Sequence, residues 1–160
     1  MINLKPKYSI LEAKVKLEAY CAYQERCAFE ISQKLRLWNM HFEDHDVLIA
    51  DLISNNFLNE ERFAEAYASG KFNIKKWGKS KIKMHLKGKH ISDYSINKAI
   101  KSIDPGEYEN TLEVLARKKW ENLSGNHWEK MGKLKRFLQN KGYETEILND
   151  LMQSYIKNNE

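Results

Sequence analysis

Ile82-Lys83-Met84-His85-Leu86-Lys87-Gly88-Lys89-His90-Ile91 reads as the end of a short helix and the tight linker after it. Ile82 and Leu86 lie one helical turn apart, and the linker Lys87-Gly88-Lys89-His90 leads to a further apolar residue. The same pair recurs as Ile31 and Leu35 and as Leu134 and Leu138, at spacings of 51 and 52 residues. The apolar residue after each linker reads as Phe42, Ile91 and Tyr143, and five residues on come Val47, Ile96 and Leu148. This alignment makes the first linker, through Trp38-Asn39-Met40-His41, two residues longer than the others. A fixed period near fifty residues marks a tandem repeat.

Start and stop signals divide each repeat into three helices. Ser9-Ile10-Leu11-Glu12 has the form of a capping box, so a first helix starts there, with Ile10, Leu11, Val15, Leu17, Ala19 and Cys21 as its apolar stripe. A second helix runs from about Cys27 to Trp38 and a third from about Glu43 to Asn55, with Val47, Leu48, Leu52 and Ile53. Asn59, Ser92 and Asp104-Pro105 read as further helix starts, and Gly142 as a stop. Phe63, Ala66 and Tyr67 are expected on the inner face of the fourth helix, and Trp120 and Trp128 in the core of the third repeat. The expected fold is all-α: an elongated array of three three-helix repeats over residues 1–57, 58–103 and 104–160. A compact nine-helix globule is the alternative.

Composition narrows the function. The net charge of +5 conceals a segregated pattern: Lys71–Lys101 holds ten Lys and one acid, whereas 40–69 holds seven acids and Arg62 alone. Such polarity fits an oriented contact with a polyanion or a charged partner. No apolar run is long enough to cross a bilayer, and the start Met1-Ile2-Asn3-Leu4 lacks a secretory stretch, so a cytoplasmic chain is expected. Cys21 and Cys27 stand alone and are expected to stay reduced. His41 and His45 are four apart without a third ligand, and no nucleotide-binding or zinc-protease motif occurs. The expectation is a protein without catalytic residues, metal or other cofactor.

Three segments carry a resemblance. Phe57-Leu58-Asn59-Glu60-Glu61-Arg62-Phe63-Ala64-Glu65-Ala66-Tyr67 looks like the signature that opens the second repeat of the RecX regulatory family. Lys76-Trp77-Gly78-Lys79-Ser80-Lys81-Ile82, with Leu86 and Ile91, is similar to the segment that follows it. Gln24-Glu25-Arg26-Cys27, with Glu30, Lys34 and Leu35, resembles the family's first-repeat pattern. The departures are Asn56 where Gly is usual, Asn59 for Asp and Cys27 for Ser. The resemblance implies a non-enzymatic protein that binds RecA, usually as the filament on single-stranded DNA. It implies inhibition of the filament's ATPase and strand exchange, and so regulation of DNA repair, recombination and the SOS response.

Lys75, Lys76, Trp77, Lys79, Lys81, Lys83, Lys87 and Lys89 are the candidate partner- or DNA-binding residues. Lys79, Lys83 and Lys87, each one turn apart, would form a ridge able to meet phosphates or carboxylates. Trp77 could stack on a base or pack between helices. The signature residues Phe57 to Ala64 and Tyr67 are read as packing and inter-repeat contacts, with Arg62 paired to Glu61, Glu65 or the preceding repeat. A monomer that contacts DNA weakly is expected, with no membrane partner. The alternative is a helical module that binds nucleic acid directly, its lysines favouring the backbone over base edges.

Overall fold

Ser9 caps the first helix as its sequence requires: its hydroxyl accepts from the Glu12 amide, and Glu12 accepts from the Ser9 amide. The structure, a computed structural model, describes residues 4–158, so Met1, Ile2 and Asn3, and Asn159 and Glu160 at the end of the expected third repeat, lie outside the described residues. Among these residues the elements are helices in the order α1 (Ile10–Tyr23), α2 (Ala28–Leu37), α3 (Phe42–Ser54), α4 (Glu60–Asn73), α5 (Lys79–Gly88), α6 (Asp93–Lys101), α7 (Pro105–Glu121), α8 (His127–Lys141) and α9 (Thr145–Lys157). Asn59, Ser92, Asp104 and Asn126 each accept from an amide three residues on. No described helix is long and apolar enough to cross a membrane.

The repeat is visible in the backbone. After Leu35, Leu86 and Leu138 the chain turns through a left-handed residue: Asn39 (φ 52), His90 (φ 59) and Gly142 (φ 96). The next amide then bonds back to the carbonyl of that leucine, at 3.0 Å from Met40, 3.2 Å from Ile91 and 3.2 Å from Tyr143. This is the six-residue closure that ends many helices.

It corrects the register of the first repeat. Met40, not Phe42, is the counterpart of Ile91 and Tyr143, and the first linker has the same length as the others. Five residues on lies buried His45, in the place of Ile96 and Leu148, while Phe42 and Val47 are 76% and 66% exposed. A histidine fits this core position because its Nε2–H donates to the Met40 carbonyl at 3.1 Å.

Other apolar residues also face outward. On α1 the buried line is Ala13, Leu17 and Cys21, whereas Ile10, Leu11, Val15 and Ala19 are exposed. Both lines recur every four residues, so spacing alone does not choose between them. The line that turns inward carries the small Ala13 and Cys21 on either side of Leu17. On α4 Ala64 and Ala68 replace the expected Ala66 in the core, Tyr67 is half-buried, and on α3 Ile53 is exposed. Trp128 is 72% exposed at the first turn of α8, whereas Trp120 is half-buried against Tyr155 and His127.

The core has two bodies. One belongs to α1–α3, around Leu17, Ile31, Leu35, Leu48 and Leu52. The other runs without a break through α4–α9, from Phe63, Ile82 and Ile96 to Leu134, Leu138 and Leu148. Cys27 and Phe29 of the first repeat reach into this second body. The accessible surface is 10431 Å² for 18.9 kDa. A compact monomer of that mass exposes about 8,300 Å², so the molecule is an extended tandem array, not a nine-helix globule.

Candidate interaction surface

α5 starts with no side-chain cap, since Gly78 precedes it. Its first amides find partners in the third repeat instead. Gly78 N–H donates to the Lys141 carbonyl at 2.7 Å, and Ser80 N–H to the Gly142 carbonyl at 3.0 Å. Lys79 N–H donates to the Tyr108 hydroxyl at 3.0 Å, which in turn donates to Glu144. The C-terminus of α8 thus abuts the N-terminus of α5, and opposite dipole ends meet. Two glycines make this approach sterically feasible. A Cβ on Gly78 would overlap the backbone of Gly142 and Tyr143, and one on Gly142 would overlap Lys81. Lys81 Nζ also reaches the Asn140 carbonyl at 3.2 Å, Lys141 Nζ the Lys75 carbonyl at 3.2 Å, and the Tyr143 hydroxyl the Lys76 carbonyl at 3.0 Å. Burial, helped by the neighbouring Glu144 carboxylate, raises the Tyr108 and Tyr143 hydroxyls above the ordinary tyrosine range, so both stay neutral.

This junction sorts the candidate lysines. Lys79 is half-buried with its ammonium 4.6 Å from the Tyr108 ring centre, and Lys81 lies 4.6 Å from that of Trp77. Lys89 turns toward the first repeat, where it pairs with Glu30 at 3.3 Å. Lys75, Lys76, Lys83 and Lys87 are exposed, and of these Lys87 reaches Asp93 at 3.8 Å. The outward cations among the candidates are therefore those four, and half-buried Lys79 differs from exposed Lys83 and Lys87.

Trp77 is half-buried on the α4–α9 core, with His85 against it at 4.6 Å and the ammonium groups of Lys71 and Lys81 over its ring. The ring is thus packed on the core with two ammonium groups close to it. Burial and then the charges of Lys81, Lys71 and Lys89 hold His85 below its ordinary pKa of 6.5, so it adds no charge near neutrality.

The signature segment builds the junction of the first and second repeats. Arg62 donates to Glu25 at 2.6 Å, to the Asn56 side chain at 3.1 Å and to the Asn56 carbonyl at 3.0 Å. Its acid partner is thus Glu25 of the preceding repeat, not Glu61 or Glu65. Asn56 has φ 61, the left-handed conformation that glycine adopts most easily and asparagine next. Glu60 ties the start of α4 to that of α6, accepting from Ser92 N–H at 3.1 Å and from the Ser92 and Ser95 hydroxyls at 2.8 Å each. Glu61 pairs with Lys98 at 2.6 Å, while Leu58, Phe63 and Ala64 are buried and Phe57 is half-buried. Asn59 caps α4 through its side-chain oxygen, so the cap survives without a charge.

Sequence reasoning missed Tyr108, Glu144, Glu25 and Gly78 as junction residues. One signal was available: a helix start at Lys79 with no capping side chain before it demands acceptors from elsewhere. Cys21 and Cys27 are both buried free thiols; burial pushes Cys21 up to about 11 and raises Cys27.

Family models of the second and third three-helix domains of RecX match residues 59–100 and 107–152, together more than half of the chain. A regulatory protein RecX of Clostridium tetani (strain Massachusetts / E88) is 33% identical over 110 residues, which cover 64% of this chain and 50% of that protein. One of Clostridioides difficile (strain 630) is 25% identical over 150 residues, covering 91% and 69%. The match thus spans about half the length of the first relative. The crystal structure of RecX from Lactobacillus salivarius superposes with a TM-score of 0.78 at 26% identity, covering 91% of this chain and 96% of that one. Another RecX crystal structure gives 0.82 at 20% identity, a likeness of fold. With the repeat, the signature and these matches together, the chain belongs to the RecX family of regulatory proteins.

Proposed function

We propose that this protein binds the RecA filament on single-stranded DNA in the cytoplasm and lowers its ATPase and strand-exchange activities, without itself being an enzyme. The observation that carries the reading is the tandem array itself: matched RecX domains in order, with the second repeat displaying a basic surface. An extended body of repeats suits a partner that is itself a repeating filament, because several subunits can be contacted at once. Each triplet of helices, bounded near residues 57 and 103, serves as one contacting unit.

Lys75, Lys76, Lys83 and Lys87 are the cations this reading uses. They are outward, and only Lys87 reaches an acid, at 3.8 Å on the surface, so a partner's phosphates or carboxylates can meet them without a buried contact being broken. Reversing Lys75, Lys83 and Lys87 to Glu should leave the helices intact and weaken co-sedimentation with RecA filaments by about tenfold or more, since several charge-assisted contacts are lost. Unchanged co-sedimentation would remove this surface from the account.

The concentrated positive charge of Lys71–Lys101 favours a second reading, direct binding to nucleic acid. Lysines contact phosphates without reading sequence, so such binding would be weak and steeply salt-dependent. Affinity for bare single strands equal to that for the filament would favour this reading over the first.

A further inference from the structure

In the second repeat α4 and α6 approach closely, and both helices bury small residues, Ala64 and Ala68 on α4 and Ser95 and Ala99 on α6. In the third repeat the corresponding α7 and α9 stay apart, with Leu112, Ile147 and Leu151 between them. The gap is a groove of about 520 Å³. Tyr108 and Leu112 form its buried floor and half-buried Ile147 and Leu151 its wall.

The rim is acidic. Glu109 and Glu113 stand on α7 and Asp150 on α9; all three are exposed, and none enters an ion pair among the described residues. The one cation at the mouth, Lys79, is held over the Tyr108 ring at 4.6 Å. Three carboxylates against one lysine repel phosphates and attract cationic side chains. The stretch from Pro105 to Glu113 extends about 12 Å along α7, enough for two turns of a docked helix. A helix laid in such a groove presents apolar residues at i, i+4 and i+7, with its flanks facing the rim.

We infer that the α7–α9 groove docks a cationic amphipathic helix of a partner protein, its apolar side chains on Leu112, Ile147 and Leu151 and its lysines or arginines against Glu109, Glu113 and Asp150. This contact is separate from the basic surface of the second repeat. It would give the molecule two poles of opposite charge preference, the lysines for a polyanionic or acidic surface and the groove for a basic segment.

The test titrates the full chain into a fluorescent synthetic helix with leucines at i, i+4 and i+7 and lysines on the flanks, and into its isomer with glutamates in place of the lysines. The lysine peptide should bind at least about tenfold more tightly, and added salt should narrow that difference. The triple variant Glu109→Lys, Glu113→Lys, Asp150→Lys should weaken it about tenfold with an unchanged circular-dichroism spectrum. Ser154→Trp, which fills the groove while keeping the rim charge, should weaken it as well. Equal binding of the two peptides, no measurable binding, or undiminished binding by the triple variant would overturn the inference. So would an equal loss on reversing Glu43 and Asp46 of α3, which would reduce the effect to net charge. A dimer in sedimentation that the triple variant dissolves would assign the groove to a second copy of this chain and overturn the stated occupant.

Discussion

Gly142 performs two tasks at one position. Its φ of 96 closes α8, and its missing side chain lets Lys81 of the second repeat lie against it. Gly78, three residues before Lys81, lies against the Gly142–Tyr143 peptide. Gly142→Ala adds a left-handed strain to a steric overlap, and Gly78→Ala adds the overlap alone. Each should cost about 2–3 kcal/mol, by the usual scale of forced overpacking, read as a fall in urea midpoint. A change below about 0.5 kcal/mol, the range of ordinary surface substitutions, would contradict the end-to-end docking. At this scale the sequence was legible where chemistry is local. The caps at Ser9, Asn59, Ser92 and Asp104 are read directly, since each bonds an amide three residues on. Gly142 is legible as a stop, but its contact with Lys81 is not, because that contact joins residues 61 positions apart.

Between elements, short polar links set how helices are held. Glu60 joins the N-terminus of α4 to that of α6 through Ser92 and Ser95. Partial burial opposes its ionisation, but those hydrogen bonds outweigh it and hold its carboxyl below its ordinary pKa of 4.5. A depressed carboxyl stabilises the fold above the unfolded-state pKa, and the contribution is lost as pH falls through the folded value. Stability should therefore drop with acid below about pH 4.5, and Glu60→Gln should show a shallower drop of its urea midpoint in that window. Parallel profiles for the two proteins would show that Glu60 makes no such contribution. Helix order and the Ile82–Leu86 and Leu134–Leu138 pairs were readable at this scale, because the second and third repeats keep apolar residues at core positions. The first repeat was misread by two residues, because buried His45 looks polar while exposed Phe42 and Val47 look like core. A hydrogen bond to Met40 decides that case, and no hydrophobic pattern contains it.

For the whole molecule, continuity of the core matters more than the number of repeats. The second and third repeats share one core and a backbone-to-backbone junction, whereas the first has its own core and meets the second through Arg62–Glu25, Lys89–Glu30 and the Cys27–Phe29 corner. The extended shape should give a radius of gyration in X-ray scattering above about 15 Å, the value for a compact chain of this length; a value at that limit would mean the array folds back on itself. The candidate site was legible as charge but not as geometry: eight residues read as one patch divide into exposed Lys75, Lys76, Lys83 and Lys87 and the packed Trp77, Lys79, Lys81 and Lys89. Spacing along a helix reveals which lysines share a face, but not which of them the next repeat covers.

We propose that this protein regulates RecA through its assembled filament. That proposal is tested most directly by RecA's single-strand-dependent ATP hydrolysis, with single-stranded DNA in excess and this protein well below the RecA concentration. Strong inhibition is the predicted result, because so little protein cannot sequester the DNA and must act on filaments. Full hydrolysis until the protein saturates the DNA would contradict the claim and leave competition for the strand as the activity.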